Sequence, residues 1–166
     1  MTRIMTTTSL AFFAMLGGCN QSPAPADNAA TTPAPIANEA DATAAESSWA
    51  GLRDLIGQYP RDSGLFESSV IAGDLKALLG DKLATFMQDM EVQGPLAEEK
   101  GVLWTSGNKT HQGGIDAAYL LIDPATRQLE VGLWENGVLQ TYASPGAPLT
   151  KPADVETLIA NARQTR

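Results

Sequence analysis

Cysteine, histidine and basic side chains are scarce in this chain of 166 residues. One Cys cannot form an internal disulfide, and together with one His it is too little for a Cys/His zinc site or an iron–sulfur cluster. Lys and Arg number 11 against 19 Asp and Glu, which gives a net charge of −8. Because an acidic chain has no electrostatic basis for holding phosphate backbones, no nucleic-acid partner is expected. No pattern in the chain predicts a cofactor.

Residues 1–18 have the pattern of a bacterial signal peptide. Arg3 is followed by an apolar run at residues 10–16, which is far shorter than the roughly 20 residues of a membrane span. The run ends in Leu16-Gly17-Gly18-Cys19, which resembles the lipobox of lipoproteins, where the chain is cut before a Cys that then carries acyl chains such as palmitate. The resemblance implies a stable lipid anchor at Cys19, and Asn20 after it implies the outer membrane. An ordinary secretory signal with a stray Cys is the alternative.

Residues 19–48 have the composition of a tether. They contain ten Ala, four Pro and six Ser or Thr, and Ile36 is their only large apolar side chain. Such a segment cannot bury enough apolar surface to offset the entropy lost on ordering, so it is predicted to be disordered. The folded part is therefore expected at residues 49–166.

The expected domain opens with helical patterns and continues with strands. Apolar residues recur at helical spacing near residues 49–56 and 69–90, with Gly80-Asp81 interrupting the second stretch. Four strands are predicted at 101–105, 116–122, 128–134 and 138–142, and Asn136-Gly137 is a strong hairpin signal. Pro152 and the apolar positions after it predict a C-terminal helix. The fold class is α+β: an antiparallel meander of about four to five strands with helices packed on one face.

Between the first two of these strands lies a polar segment, residues 106–114. It has no large apolar side chain, contains three glycines and carries the only His of the chain, His111. An inert surface connection is the simplest interpretation. However, the glycines permit a tight protruding shape, and Lys109 and His111 place hydrogen-bond donors on either side of Thr110.

This order of elements, with Lys-x-His in the loop and Asp123-Pro124 after a later strand, resembles the inhibitor of vertebrate lysozyme family over roughly residues 50–142. Members of that family are envelope proteins that block C-type lysozymes by pushing a protruding loop into the active-site cleft. The resemblance implies a lysozyme-binding loop made of Gly107, Asn108, Lys109, Thr110, His111, Gln112 and Gly113.

The loop departs from the family pattern in one physically important way. The family loop reads Cys-Lys-Pro-His-Asp-Cys with its two cysteines bridged, whereas this chain has Asn108 and Gly113 at those positions. Losing the bridge adds an ordering cost on association. Side-chain to backbone hydrogen bonds from Asn108 and Thr110 are the expected means of restoring order.

Other interpretations are weaker. Ser106, His111 and Asp116 have the residue types of a hydrolase triad, but such a triad converges from separate elements, so no enzyme is expected. A metal site from His111, Asp116 and Asp123 would lack ligands. Trp104 and Trp134 are expected in the core rather than as carbohydrate platforms. The remaining alternative is an envelope interaction or structural lipoprotein that keeps the scaffold without inhibiting lysozyme.

Overall fold

The computed structural model of the chain describes residues 48–164. The expected signal peptide, Cys19 and almost all of the expected tether lie outside this part. The first described residues, 48–50, are helical and continue into a 3-10 helix at Gly51–Leu55. None of the helices in residues 48–164 has the length and hydrophobicity of a membrane span.

Two short helices follow, α1 (Ala72–Leu79) and α2 (Leu83–Asp89), joined by a 3-10 turn at Gly80–Lys82. Gly80 has a φ of +51°, in the left-handed region that glycine adopts without a Cβ penalty. The chain therefore turns there and starts a new helix, which confirms the break predicted at Gly80-Asp81.

In the described residues, six strands form one antiparallel sheet with the order β1-β3-β4-β5-β6, and β2 also pairs with β3. The strands are β1 (Val92–Gln93), β2 (Ala97–Glu99), β3 (Val102–Asn108), β4 (Ala117–Asp123), β5 (Gln128–Glu135) and β6 (Val138–Ala143). The four long strands are the predicted meander, and the two short strands were not predicted. Asn136 and Gly137 form the predicted hairpin turn, with φ of +53° and +76°.

The helices cover both faces of the sheet, which corrects the expectation of a single covered face. Leu120 of β4 lies in one core cluster with Leu75 of α1 and Phe86 of α2. Its neighbour Leu121 points to the opposite face, in a second cluster with Val155 of the C-terminal helix α3 (Ala153–Gln164). The physical reason is that β4 is apolar at successive positions, so both of its faces must be removed from water. The α+β class itself is confirmed.

The second core cluster, between the sheet and α3, includes Trp134 and its ring contact with Tyr119. Trp134 is 2% exposed and meets Tyr119 edge to face, with ring centroids 5.8 Å apart. Trp104 packs against the same cluster, so the expectation that both tryptophans belong to the core is confirmed. The Tyr119 ring occupies the space that a Cβ of Gly132 would need, so β5 requires glycine at that position.

Candidate functional site

Residues 109–116 connect β3 and β4 and form the His111 loop. It begins later than expected, because Gly107 and Asn108 belong to β3, where they pair with Ala118 and Ala117 of β4. On their other side the same two residues pair with β1. A Cβ on Gly107 would lie 2.8 Å from the carbonyl oxygen of Val92. Gly107 therefore permits the close approach of β1 rather than shaping the loop itself.

His111 lies at an exposed turn in this loop. The Gln112 N–H donates to the Lys109 carbonyl at 3.0 Å, which places Thr110 and His111 at the two central positions of a tight turn. His111 has a φ of +63°, a left-handed conformation that is uncommon for a residue with a Cβ. Thr110 and His111 are both exposed, and Lys109 is half-buried. The turn thus presents His111 to solvent, while Lys109 before it is partly covered.

Hydrogen bonds tie the loop to three neighbouring elements. Glu91, between α2 and β1, accepts the Thr110 N–H at 3.3 Å. Asn108 Nδ2 donates to the Lys109 carbonyl at 2.8 Å, which confirms the side-chain to backbone bond expected of Asn108. On the far side, the Asn136 N–H donates to Asp116 Oδ1 at 2.9 Å, and the Gly137 N–H donates to the Ile115 carbonyl at 2.8 Å. The loop is therefore fixed at both ends and near its tip.

The positions that replace the bridged cysteines of the family loop lie next to each other. A Cβ built on Gly113 would be 4.0 Å from Asn108 Cγ and 3.9 Å from Asn108 Nδ2. The two positions are thus adjacent in this chain without a covalent bridge.

Acidic groups surround the base of the loop. Asp89, the last residue of α2, is 2% exposed, and its Oδ2 has no hydrogen-bond partner in the part of the chain that the structure describes. Burial raises the pKa of Asp89 to about 6, and the nearby Asp116 and Glu135 add to the shift while Lys109 opposes it. Glu135 itself is paired with Lys82 at 2.7 Å. Lys109 is therefore held in an acidic environment just before the exposed turn.

Exposed apolar side chains lie within the loop and on either side of it at the same end of the sheet. Val92 and Ile115 are both 51% exposed, and Val138 is 49% exposed. Val92 pairs with Asn108 on one side of the loop, while Val138 follows Gly137, whose N–H bonds to Ile115 on the other. A polar tip between exposed apolar residues is a surface suited to a protein partner.

The loop does not assemble a catalytic centre. Ser106 lies within β3 opposite Tyr119, and the Asp116 carboxylate accepts a bond from the Asn136 backbone rather than orienting His111. A cleft of about 340 Å³ beside the loop is lined by residues such as Gln93, Asn108 and Gly114, and by no charged side chain. Across residues 48–164, no group of three or more His, Cys, Asp or Glu could hold a metal ion.

Sequence reasoning identified Lys109 and His111 but missed Glu91, Asp89 and the loop-fixing role of Asp116. Glu91 is separated from Thr110 by 19 residues, and nothing in the local pattern of either residue indicates the bond. The signal that was available is chemical: a carboxylate on a short edge segment beside a polar loop is a ready acceptor for its backbone N–H groups.

Comparison with known proteins identifies one family. The family model described as Inhibitor of vertebrate lysozyme (Ivy) matches residues 70–165, more than half of the chain, and includes the whole His111 loop. Neither a curated protein nor a solved structure matches the chain.

Proposed function

Since the chain belongs to the inhibitor of vertebrate lysozyme family, we propose that it binds C-type lysozyme and inhibits it by inserting the His111 loop into the active-site cleft. The observation that carries the loop assignment is the exposed imidazole of His111 on a turn with a φ of +63°. Strained backbone of this kind is retained where the surrounding structure fixes it, and such sites are often functional. The remainder of the loop is tied down, so the tip can be presented in one shape.

The chemistry of this inhibition follows from the enzyme's own mechanism. A retaining muramidase has two carboxyl groups flanking the bond that it cleaves, one protonated and one ionised. An imidazole inserted between them can hydrogen-bond to both and occupies the place of the sugar. Lys109 brings a positive charge close to the same acidic groups, which adds a favourable electrostatic contribution.

Net charge supports the same partner. Residues 49–166 carry 10 basic and 15 acidic side chains, a net charge of −5. C-type lysozymes are strongly basic, so long-range attraction accelerates the encounter at low ionic strength. The interaction requires no chemical step in this chain, which acts as a binding protein and not as an enzyme.

We further propose that Cys19 carries the lipid anchor and that residues 19–47, the expected tether without the helical Ser48, connect the anchor to the domain on the periplasmic side of the outer membrane. A random-coil segment of this length reaches on the order of 30 Å. That reach places an inhibitor where lysozyme enters the envelope. Support for this part of the proposal is the lipobox-like Leu16-Gly17-Gly18-Cys19.

The test is inhibition of C-type lysozyme by the purified chain and by its His111→Ala variant. Removing an imidazole from between two desolvated carboxyl groups is expected to weaken inhibition at least about 30-fold. The thermal melt should not change, because His111 is exposed. Lys100→Ala, at the opposite end of β3, serves as a control that should inhibit normally. Full inhibition by His111→Ala would exclude the loop mechanism, and no inhibition by the parent chain would favour the non-inhibitory envelope protein.

A further inference from the structure

The His111 loop has no covalent closure, because Cys19 is the only cysteine of the chain and lies far from the loop in sequence. Its shape in the free protein therefore depends on hydrogen bonds. Among them, the bond from the Thr110 N–H to Glu91 Oε2 acts at the exposed turn itself. The bonds of Asp116 and Ile115 act at the far end of the loop, where it enters β4.

We propose that Glu91 is a positioning residue for lysozyme binding: its carboxylate holds the Thr110 amide and so fixes the turn that presents Lys109 and His111. This inference rests on the proposed function. Glu91 acts through the loop and is not assigned a contact with the enzyme's catalytic carboxyl groups, because a carboxylate placed there would be repelled by the ionised one.

The position of Thr110 explains why one hydrogen bond has this effect. The peptide unit between Lys109 and Thr110 is held on both sides. Its carbonyl accepts bonds from the Gln112 N–H and from Asn108 Nδ2, within the loop and β3, and its N–H donates to Glu91 outside them. Glu91 therefore adds the bond that ties this peptide unit, and the turn that continues into His111, to a separate part of the fold. The left-handed backbone of His111 is unfavourable for a free chain, so an unrestrained turn would relax into other conformations. Each such conformation must be abandoned on binding, which lowers affinity.

The electrostatic surroundings keep this restraint in force at neutral pH. Hydrogen bonds from the side chain and the backbone of Thr110 are the main causes that lower the pKa of Glu91. Burial opposes them, and the nearby Arg61 and Lys109 each add a smaller lowering effect. Glu91 is therefore ionised at pH 7 and is the stronger acceptor for that reason. The restraint weakens when Glu91 is protonated, below the ordinary pKa range of a glutamate.

The first measurement follows the Thr110 amide in the free protein by NMR, without any lysozyme. In the parent chain its resonance should titrate with the Glu91 carboxyl, and in Glu91→Gln that titration should disappear. Glu91→Ala should in addition show faster exchange of the Thr110 amide with solvent. An amide that behaves identically in parent and Glu91→Ala would overturn the proposal.

The second measurement is affinity for lysozyme. Glu91→Ala is expected to weaken binding about fivefold to tenfold, whereas Glu91→Gln, which keeps an uncharged acceptor, should lose only about twofold. Glu67→Ala, which removes another exposed carboxylate, is the control for the change in net charge and should bind as the parent does. Equal losses for Glu91→Ala and Glu67→Ala would contradict a positioning role.

A cross-link separates positioning from direct contact. Because a Cβ on Gly113 would lie beside Asn108, the pair Asn108→Cys and Gly113→Cys can close the loop covalently. We place this pair in a Cys19→Ser chain, with and without Glu91→Ala. If Glu91 acts by ordering the loop, oxidation should restore most of the affinity lost in Glu91→Ala. An oxidised Glu91→Ala variant that binds lysozyme as weakly as the reduced one would overturn the proposal.

If the parent chain fails to bind lysozyme while the Thr110 amide titrates as expected, the proposed function fails and the ordering role of Glu91 stands.

Discussion

The phenol of Tyr119 donates a hydrogen bond of 2.7 Å to Oε1 of Glu130 inside the layer between the sheet and α3. The same carboxylate oxygen lies 2.8 Å from Lys151 Nζ, in the segment that leads into α3. Burial raises the pKa of Tyr119, and the hydrogen bond to Glu130 adds to the increase, so Tyr119 remains a donor at all physiological pH values. Lys151 is thereby linked through Glu130 to the centre of the sheet, and the ion pair between Lys151 and Glu130 anchors the start of α3.

Replacing Lys151 with Met should destabilise the domain. Glu130 has a side chain only 5% exposed, so it would be left as a buried charge without its cation. Since the Lys151 side chain is 31% exposed and water can partly replace it, we expect a loss of about 1–2 kcal/mol in the free energy of unfolding. Urea denaturation measures the loss.

Lys100→Met is the matched control, because Lys100 pairs with Glu99 at 3.2 Å on the surface and its side chain is 69% exposed. It should change stability by no more than a few tenths of a kcal/mol. Equal effects of the two substitutions would show that Glu130 does not depend on Lys151.

The helices, the hairpins and the long strands were predictable because their signals are local. The apolar spacing of Leu75 and Leu79, the turn pair Asn136-Gly137 and the alternation along β5 each determine an element within a few residues. The placement of α3 was not predictable in the same way. Its apolar residues show that the helix has one face to bury, but not which face of the sheet receives it.

The site was predictable to the same limited extent. Lys109 and His111 are conspicuous because they are charged or titratable residues in a glycine-rich polar segment. Their presentation depends on Glu91 and Asp116, whose hydrogen-bond partners are 19 and 20 residues away. Such contacts arise only when the sheet brings β1 and the β5–β6 turn to either side of the loop.

Asp89→Asn should stabilise the domain at neutral pH. The pKa of Asp89 is raised from 3.8 to about 6, so between these values the folded state holds a proton that the unfolded state releases. The free energy of unfolding must therefore decrease as pH rises from about 4 to about 6, and the stability lost in this range is not regained above pH 6. Asn has no proton to lose, so we expect the variant to be more stable at pH 7 by on the order of 2 kcal/mol.

Urea denaturation of Asp89→Asn and the parent at pH 4, 5, 6, 7 and 8 measures this difference. The two should converge at pH 4, where Asp89 is protonated in the folded parent. Asp62→Asn, which alters an exposed carboxylate, should follow the parent at every pH. Parallel pH profiles for Asp89→Asn and the parent would show that Asp89 is not a source of the pH dependence.

Cys19→Ser tests the proposed anchor in the bacterial cell. Acyl chains hold a protein in a membrane because each buried methylene contributes about 0.8 kcal/mol, and Ser at this position cannot receive the thioether-linked lipid. We expect the variant to accumulate as an uncleaved or mis-sorted precursor and to leave the outer-membrane fraction. Ser22→Ala, three residues further along the chain, is the control that should fractionate normally. Unchanged fractionation of Cys19→Ser would count decisively against lipidation.

Lys109→Ala should weaken lysozyme binding less than His111→Ala and should change its dependence on salt. Lys109 lies close to Asp89 and Glu91, and its positive charge lowers the pKa values of both. Because these carboxylates already compensate part of that charge, its attraction to the acidic groups of the partner is reduced. We therefore expect Lys109→Ala to lower the affinity about twofold to fivefold at low ionic strength. Because this attraction is screened by salt, the difference in affinity between Lys109→Ala and the parent should shrink between about 50 and roughly 300 mM NaCl.

The loss of affinity caused by His111→Ala should persist at high salt, since it reflects hydrogen bonds inside a closed interface. Binding constants measured across this range of salt concentration, with Lys100→Ala as the charge-matched control, distinguish the two roles. A Lys109→Ala deficit that does not respond to salt would mean that Lys109, like His111, makes its contact inside the cleft.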